Sequence, residues 1–110
     1  MNCIFCQIIR KEQPADVVYE DEQMIVFKDI KPKTPVHLLI VPKKHIESIN
    51  HLEEKDKELF SQMIFLAKKI AQEQSISQTG YKLLFNVGRG AGQLIDHLHL
   101  HLMGGGEIRE

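Results

Sequence analysis

Residues 92–105 read GQLIDHLHLHLMGG, and the alternation of histidine with leucine inside this stretch predicts a β-strand over residues 96–103. Side chains on a strand point alternately to its two faces, so the leucines would anchor one face in a core while the histidines share the other. Successive histidines on that face would lie roughly 7 Å apart. Three imidazoles side by side are a poor pattern for a purely structural strand. The sequence therefore favours a chemical role for His97, His99 and His101.

Two kinds of chemistry fit this histidine pattern. A His-x-His pair on a strand can bind one zinc ion. Alternatively, a neutral imidazole attacks phosphorus while its neighbours and backbone N–H groups hold the phosphate oxygens and protonate the leaving group. The loop over residues 88–92, which reads GRGAG, favours the second chemistry because glycines let backbone N–H groups approach an anion closely. A zinc hydrolase would more often show a carboxylate ligand nearby.

Composition limits the class of protein. The 110 residues are enough for a single domain over residues 1–110 and leave no room for a second core. Fourteen Lys and Arg against fifteen Asp and Glu give a net charge of −1, which is unlike a binder of polymeric nucleic acid. No signal peptide is recognisable, and no apolar run approaches the ~20 residues of a membrane span. Both cysteines lie within the first six residues, which favours a reducing compartment, and we predict a cytoplasmic protein.

The remaining sequence predicts an antiparallel sheet with two helices. Apolar residues recur with helical spacing from Leu59 to Ile70, with acidic residues before them and lysines near the end, which predicts one long helix over residues 53–74. A short helix is predicted over residues 3–10. Apolar, β-branched and aromatic runs bounded by turn residues predict four more strands, over residues 17–19, 24–27, 36–41 and 81–87. This order of elements indicates an α+β fold.

The histidine stretch also resembles a known motif. His97-Leu-His99-Leu-His101-Leu-Met103, between Gly92-Gln93 and Gly104-Gly105, is similar to the motif of the histidine triad (HIT) family. The segments CIFCQIIRKEQPADVVYEDEQMIVFKDIKPKTPVHLLIVPKKHI and GYKLLFNVGRGAGQ resemble other parts of that family, so the resemblance covers nearly the whole chain. The KDIKPKTPVH segment and the two glycines resemble the HINT branch of purine nucleoside phosphoramidases and adenylyl hydrolases. The resemblance implies a HIT-like five-stranded antiparallel sheet and a homodimer.

Catalytic roles for four histidines follow from the resemblance. His99 would attack the α-phosphorus of an AMP-like purine nucleotide conjugate and form a nucleotidyl-histidine that water then hydrolyses. His101 would bind phosphate oxygen and assist the leaving group. His37 would orient the site from the neighbouring strand, and His97, the first histidine of the triad, completes the set.

The resemblance further implies a pocket for the nucleotide. Asp29 would bind the ribose hydroxyls, because a carboxylate accepts two hydrogen bonds. Apolar residues would form a slot for the base, and Asn86 with the backbone of Gly92 and Gln93 would hold phosphate. Outside this family context the same residues would be ordinary turn, capping and core residues. The complete set is Ile4, Phe5, Ile8, Phe27, Asp29, Ile30, Asn86, Gly92, Gln93, Leu94, His99 and His101.

Two positions depart from the family pattern. Leu94 stands where relatives commonly carry a polar residue that contacts the leaving group, and leucine has no group that donates or accepts a hydrogen bond there. Asp96 replaces the usual apolar or aromatic residue before the triad. We predict that Leu94 lowers turnover or changes the preference for the leaving group without abolishing nucleotide binding.

The Cys3-x-x-Cys6 pair has three interpretations: a redox pair, two buried free thiols, or half of a zinc site. A redox pair would normally follow a strand, and only two residues precede this one. Zinc-bearing members of the HIT superfamily resemble this chain at four positions, which implies a structural zinc ion bound by Cys3, Cys6, His45 and His97.

Three functions therefore remain from the sequence. The first is a HIT-family nucleoside phosphoramidase-like hydrolase that needs no redox cofactor. The second is a nucleotide-binding or adaptor protein with weak catalysis, for which Leu94 and Asp96 are the support. The third is a zinc-dependent hydrolase with the histidine run as its metal ligands.

Overall fold

The computed structural model describes residues 3–106 and contains two helices and five strands. In chain order these are α1 Ile4–Ile9, β1 Val17–Glu20, β2 Met24–Lys28, β3 Val36–Pro42, α2 Lys57–Glu73, β4 Tyr81–Leu84 and β5 Leu100–Gly104. The strands form one sheet in the order β1-β2-β3-β5-β4, and every neighbouring pair is antiparallel. The predicted α+β fold with one long and one short helix is confirmed. Within the described range no helix is both long and apolar enough to cross a bilayer.

Apolar residues cover both faces of the sheet. The larger core lies between one face and α2, which buries four residues of the predicted stripe, Met63, Leu66, Ala67 and Ile70. Ala71 is buried with them, and Leu59 at the start of the stripe is partly buried. The smaller core lies on the opposite face, against α1, and consists of Phe5, Ile8, Ile25, Phe27, Leu39 and Val41. The central strands β2 and β3 are therefore buried on both sides, whereas the outer strands leave room for a cavity beside α1.

The long helix begins later than its apolar spacing predicts. A 3₁₀ turn over Glu54–Asp56 precedes α2, which starts at Lys57. Glu53 and Asp56 form reciprocal side-chain to backbone hydrogen bonds in this turn, which satisfy N–H groups that a helix would leave unpaired. The acidic residues at the start of the predicted helix thus end up in its capping turn.

Two predicted strands are shorter than expected. The segment over residues 81–87 is a strand only to Leu84, and the histidine stretch becomes a strand only at Leu100. The reason lies in the connection between β3 and α2: Ile46 O accepts a hydrogen bond from the N–H of Leu98 at 2.6 Å. Leu98 is therefore bonded to that connection, and residues 95–99 lie outside the sheet ladder. His97 and His99 precede β5, and only His101 lies on it.

Candidate active site

A cavity of about 850 Å³ opens on the face of the sheet that carries α1. The register of the strands determines which residues form its floor. His101 pairs with Leu39 on one side and with Leu84 on the other, and all three residues line the cavity. Eleven of the twelve residues predicted for the nucleotide pocket line this cavity, and Gln93 is the exception. The structure thus brings together residues from α1, from the four strands β2 to β5 and from the loop before β5.

His37 and His101 form a hydrogen-bonded pair on the cavity floor. The N–H of Lys33 donates to Nδ1 of His37 at 3.1 Å, so the ring proton of neutral His37 is on Nε2. That Nε2–H lies 2.9 Å from Nδ1 of His101, which accepts it. The proton of neutral His101 is therefore on Nε2, a buried atom without a hydrogen-bond partner within residues 3–106. Because His101 lines the cavity, a ligand bound against its ring is the remaining candidate to accept this N–H.

His99 has the opposite tautomer. Its Nδ1 donates to the carbonyl oxygen of His97 at 2.7 Å, which leaves the lone pair on Nε2. Its ring packs edge-on against Phe5, with 5.1 Å between the ring centroids, and lies 5.1 Å from the ring of His101. The site therefore holds an imidazole lone pair next to an imidazole N–H, which offers a nucleophile beside a hydrogen-bond donor for a phosphate oxygen.

Burial keeps these imidazoles uncharged. It lowers the pKa of His99 and of His37, and it lowers the pKa of His101 to about 4, an effect to which the charges of His99 and His37 add. The nearby carboxylate of Asp29 acts in the opposite direction on all three, but burial outweighs it. At neutral pH the lone pair on His99 is therefore free to attack.

Asp29 lies beside this histidine pair. Its Oδ1 accepts the N–H of Lys31 at 2.8 Å, and its Oδ2 lies 3.4 Å from Nε2 of His37. The next residue, Ile30, is 91% exposed at the cavity rim. Phe5 and Phe27 meet edge to face at 5.3 Å and form part of an apolar wall together with Ile4 and Ile8. The cavity thus joins an apolar end to a polar end.

The glycine loop differs from its predicted role. Residues Arg89–Ala91 form a 3₁₀ turn between Gly88 and Gly92, whose φ angles of 85° and 89° favour glycine. The N–H groups of Gly92 and Gln93, predicted to hold phosphate, donate here to the carbonyl oxygens of Arg89 and Gly88 inside the loop. The N–H groups of the next two residues, Leu94 and Ile95, have no acceptor in the described part of the chain, and both residues line the cavity.

Gln93 supports the loop and does not face the cavity. Its buried side chain accepts the N–H of Gly88 at 2.9 Å and donates to the carbonyl oxygens of Glu47 and Ile95, at 2.7 and 3.0 Å. Three segments are therefore joined through one amide. Sequence reasoning missed this role because the partners are backbone atoms, one of them 46 residues away.

The two unusual residues of the triad segment have different surroundings. Leu94 is 80% exposed and lines the cavity, so its side chain is placed to contact a ligand bound there. Asp96 forms an exposed ion pair with Arg89 at 3.0 Å, and Arg89 also donates to the carbonyl oxygen of Gln93. Asp96 thus contacts the glycine loop and does not line the cavity.

His97 is fully buried and does not line the cavity, so the prediction of three imidazoles facing one pocket is wrong for this residue. Its Nε2 donates to the carbonyl oxygen of Pro42 at 2.7 Å, and its Nδ1 therefore carries the lone pair. That Nδ1 lies 3.3 Å from Cys3 Sγ, 3.6 Å from Cys6 Sγ and 3.2 Å from His45 Nδ1.

These four residues form a group suited to a metal ion. Their donor atoms all lie within 4.8 Å of one another, and Cys6 Sγ is 3.3 Å from His45 Nδ1. In a tetrahedral zinc site, ligand distances of about 2.0 Å to nitrogen and 2.3 Å to sulfur put neighbouring donor atoms about 3.3–3.8 Å apart. The four separations given above, between 3.2 and 3.6 Å, are close to that range. The residues therefore fit zinc.

A second group, Asp29, His37 and His101, also brings donor atoms together, but the hydrogen bond between its two imidazoles already accounts for that closeness. The three histidines of the triad do not form such a group among residues 3–106. Their geometry therefore gives no support to a zinc hydrolase with the triad as its ligands.

Comparison with known proteins gives consistent matches. Residues 2–107 match the family model described as "Scavenger mRNA decapping enzyme C-term binding". The chain is 41% identical over 102 residues to the purine nucleoside phosphoramidase of Escherichia coli K12, a match that covers 93% of this chain and 86% of that protein. A HIT family hydrolase from Legionella pneumophila superposes with a TM-score of 0.96 at 49% identity and covers 98% of this chain and 96% of its own. A histidine triad protein from Clostridium difficile gives a TM-score of 0.96 at 38% identity, over 100% of this chain and 96% of its own.

Proposed function

Since the chain belongs to the histidine triad (HIT) family, we propose that it is a hydrolase acting at the α-phosphorus of purine nucleoside phosphoramidates or related adenylyl conjugates. The observation that carries this proposal is the tautomer pattern in the cavity: a lone pair on Nε2 of His99 beside a proton on Nε2 of His101. An E. coli relative named purine nucleoside phosphoramidase supports the substrate class.

The proposed reaction has two steps. Nε2 of His99 attacks the α-phosphorus, the P–N bond breaks, and the departing amine takes a proton from water, while the N–H on Nε2 of His101 donates a hydrogen bond to a phosphate oxygen. In the second step water attacks the same phosphorus, the bond to His99 breaks, and the proton that the attacking water loses neutralises the hydroxide left by the first step, so that both histidines are again neutral. His37 keeps Nδ1 of His101 hydrogen-bonded throughout and so holds the ring in place.

The remaining cavity residues bind the nucleotide in this proposal. The base lies in the apolar end against Phe5 and Phe27, and the ribose hydroxyls bond to Asp29. The free N–H groups of Leu94 and Ile95 donate to a phosphate oxygen. They would thus bind the phosphate in the way that the sequence analysis expected of the backbone of Gly92 and Gln93.

Replacement of Leu94 by serine is expected to raise kcat on an adenosine phosphoramidate about tenfold, because a hydroxyl at this position can bond the leaving group in the transition state. Leu94→Ala is the matched control, since it removes the same bulk without adding a hydroxyl. Steady-state kinetics on both variants test this. Unchanged turnover in Leu94→Ser would show that the leucine does not limit catalysis.

We also propose a structural zinc ion at Cys3, Cys6, His45 and His97. The ion would crosslink α1 to the segment before β5 and would contribute stability, with no part in the chemistry at phosphorus. Support comes from the donor separations and from the buried His97, whose lone pair points at this group. A site that needs two reduced thiols suits the cytoplasm, which is the proposed location.

The proposed enzyme is a homodimer that continues the sheet through β4 and covers α2. β4 is an edge strand, and Phe65 on α2 is 67% exposed, with the partly exposed Ile64 and Leu83 as further apolar surface. Phe65→Glu is expected to shift the protein from dimer to monomer in sedimentation analysis. Val18→Glu, at an exposed apolar residue of the other edge strand, should leave the dimer intact. A wild-type monomer at micromolar concentration would refute the proposal.

A further inference from the structure

Positive charge is concentrated at the cavity, although the whole chain carries a net charge of −1. Four lysines line it, and Asp29 is the one acidic residue among the described lining residues. Lys28 forms an ion pair with Asp16 at 3.4 Å. For the ammonium groups of Lys31, Lys33 and Lys82, residues 3–106 offer no carboxylate within 4.0 Å. Three uncompensated cations therefore share one cavity.

Two of these lysines lie next to the histidine pair. The backbone N–H of Lys33 bonds to Nδ1 of His37, and Lys33 lines the same cavity as both histidines. Lys82 on β4 pairs with Met103, two residues beyond His101 on β5, and is half-buried on the cavity floor. Both residues thus lie next to the histidine pair, at the polar end of the cavity.

The α-phosphate does not account for this much positive charge. In a nucleoside phosphoramidate it carries one negative charge, and the N–H groups of His101, Leu94 and Ile95 already serve its oxygens in the proposed mode of binding. Like charges gathered in a partly enclosed site repel one another and attract an anion to it. The arrangement is therefore suited to a ligand with a second negative group, placed beyond the α-phosphorus.

We infer that the leaving group of the substrate carries an anionic substituent, either a carboxylate or a phosphate, which Lys33 and Lys82 bind. This inference rests on the proposed phosphoramidase function and defines its substrate class. It distinguishes conjugates of acidic or amino-acid-like amines, which the site would favour, from conjugates of cationic amines, which it would reject.

The test uses adenosine 5′-phosphoramidates of three amines with the same two-carbon spacing: β-alanine, β-alanine methyl ester and 2-aminoethyl phosphate. At low salt, kcat/KM for the β-alanine conjugate is expected to exceed that for its ester about tenfold, because two partly exposed ion pairs each contribute a few-fold. The ratio should fall toward one in the Lys33→Met/Lys82→Met double variant. It should stay high in Lys68→Met, which removes an exposed lysine of α2, and in Lys33→Arg/Lys82→Arg. Comparing ratios between variants controls for the different basicity of the amines.

The outcomes separate this inference from the proposed function. A larger preference for the 2-aminoethyl phosphate conjugate would identify the anion as phosphate, and a larger preference for β-alanine would identify it as carboxylate. Equal ratios in the wild type and the double methionine variant would overturn the inference even if every conjugate is hydrolysed. If no conjugate is hydrolysed, the proposed function fails. The anion preference is then decided by binding alone: calorimetry compares the affinity of the wild type for the β-alanine conjugate with its affinity for the methyl ester conjugate.

Discussion

His99→Ala is expected to lower kcat/KM on an adenosine phosphoramidate by about 10⁴-fold or more, because no other group can take over the attack on phosphorus. The lone pair on Nε2 exists because the carbonyl oxygen of His97 holds the proton on Nδ1, and neither feature survives the substitution. Brief exposure of the wild type to substrate should also produce a nucleotidyl adduct. Intact-mass spectrometry would detect this adduct in the wild type and not in the variant.

A matched histidine control is available at His51, which is exposed and lies outside the cavity. His51→Ala should leave turnover and the adduct unchanged, and nucleoside monophosphate should still bind to His99→Ala. An adduct that persists in His99→Ala would contradict the assigned nucleophile. Tight binding of the monophosphate by a wild type with no hydrolysis dependent on His99 would favour the nucleotide-binding or adaptor function.

Removal of the proposed zinc ion is expected to lower the melting temperature by about 15 °C or more. A ligand present at about 1,000 times its Kd stabilises a folded domain by about 4 kcal/mol, and each kcal/mol is worth about 4 °C at this chain length. Cys6→Ser and His45→Ala should have the same effect, because a tetrahedral site that loses one ligand binds zinc far more weakly. Calorimetry with and without a chelator, together with metal analysis, measures both quantities.

His51→Ala also serves as the control here, since His51 is near His45 in sequence and is not one of the four donors. It should retain about one equivalent of zinc and the melting temperature of the wild type. Less than a tenth of an equivalent in a folded wild type purified without added zinc would refute the metal site. Below the melting temperature of the metal-free form, adduct formation on His99 should persist.

The regular parts of the fold follow from the sequence because their signals are local. The apolar stripe of α2 and the continuous apolar run of β3, buried on both faces, specify the type of each element with little ambiguity. The histidine stretch alternates like a strand but begins outside the sheet, because Leu98 donates to Ile46, 52 positions earlier in the chain. A local sequence pattern does not indicate a hydrogen bond between two residues that are so far apart in the chain.

The sequence predicted which residues line the cavity better than it predicted what each of these residues does there. The motif and its family resemblance pointed to residues that do gather around one cavity, including Asp29 and Asn86 from distant parts of the chain. The tautomers depend on the backbone N–H of Lys33 and on the carbonyl oxygens of Pro42 and His97. Every residue has such backbone groups, so composition and spacing carry no sign of them.

The double environment of His97 affects how mutational data on this protein should be interpreted. Its imidazole belongs to the four-residue group proposed to bind zinc, whereas its carbonyl oxygen accepts the Nδ1–H of His99, the proposed nucleophile. A survey that scores each histidine only by lost turnover would rank His97 with the groups that handle substrate. Such a survey would wrongly assign His97 a role in the reaction. Its substitution would lower turnover by moving the backbone that positions His99, and not by removing a group that contacts the substrate.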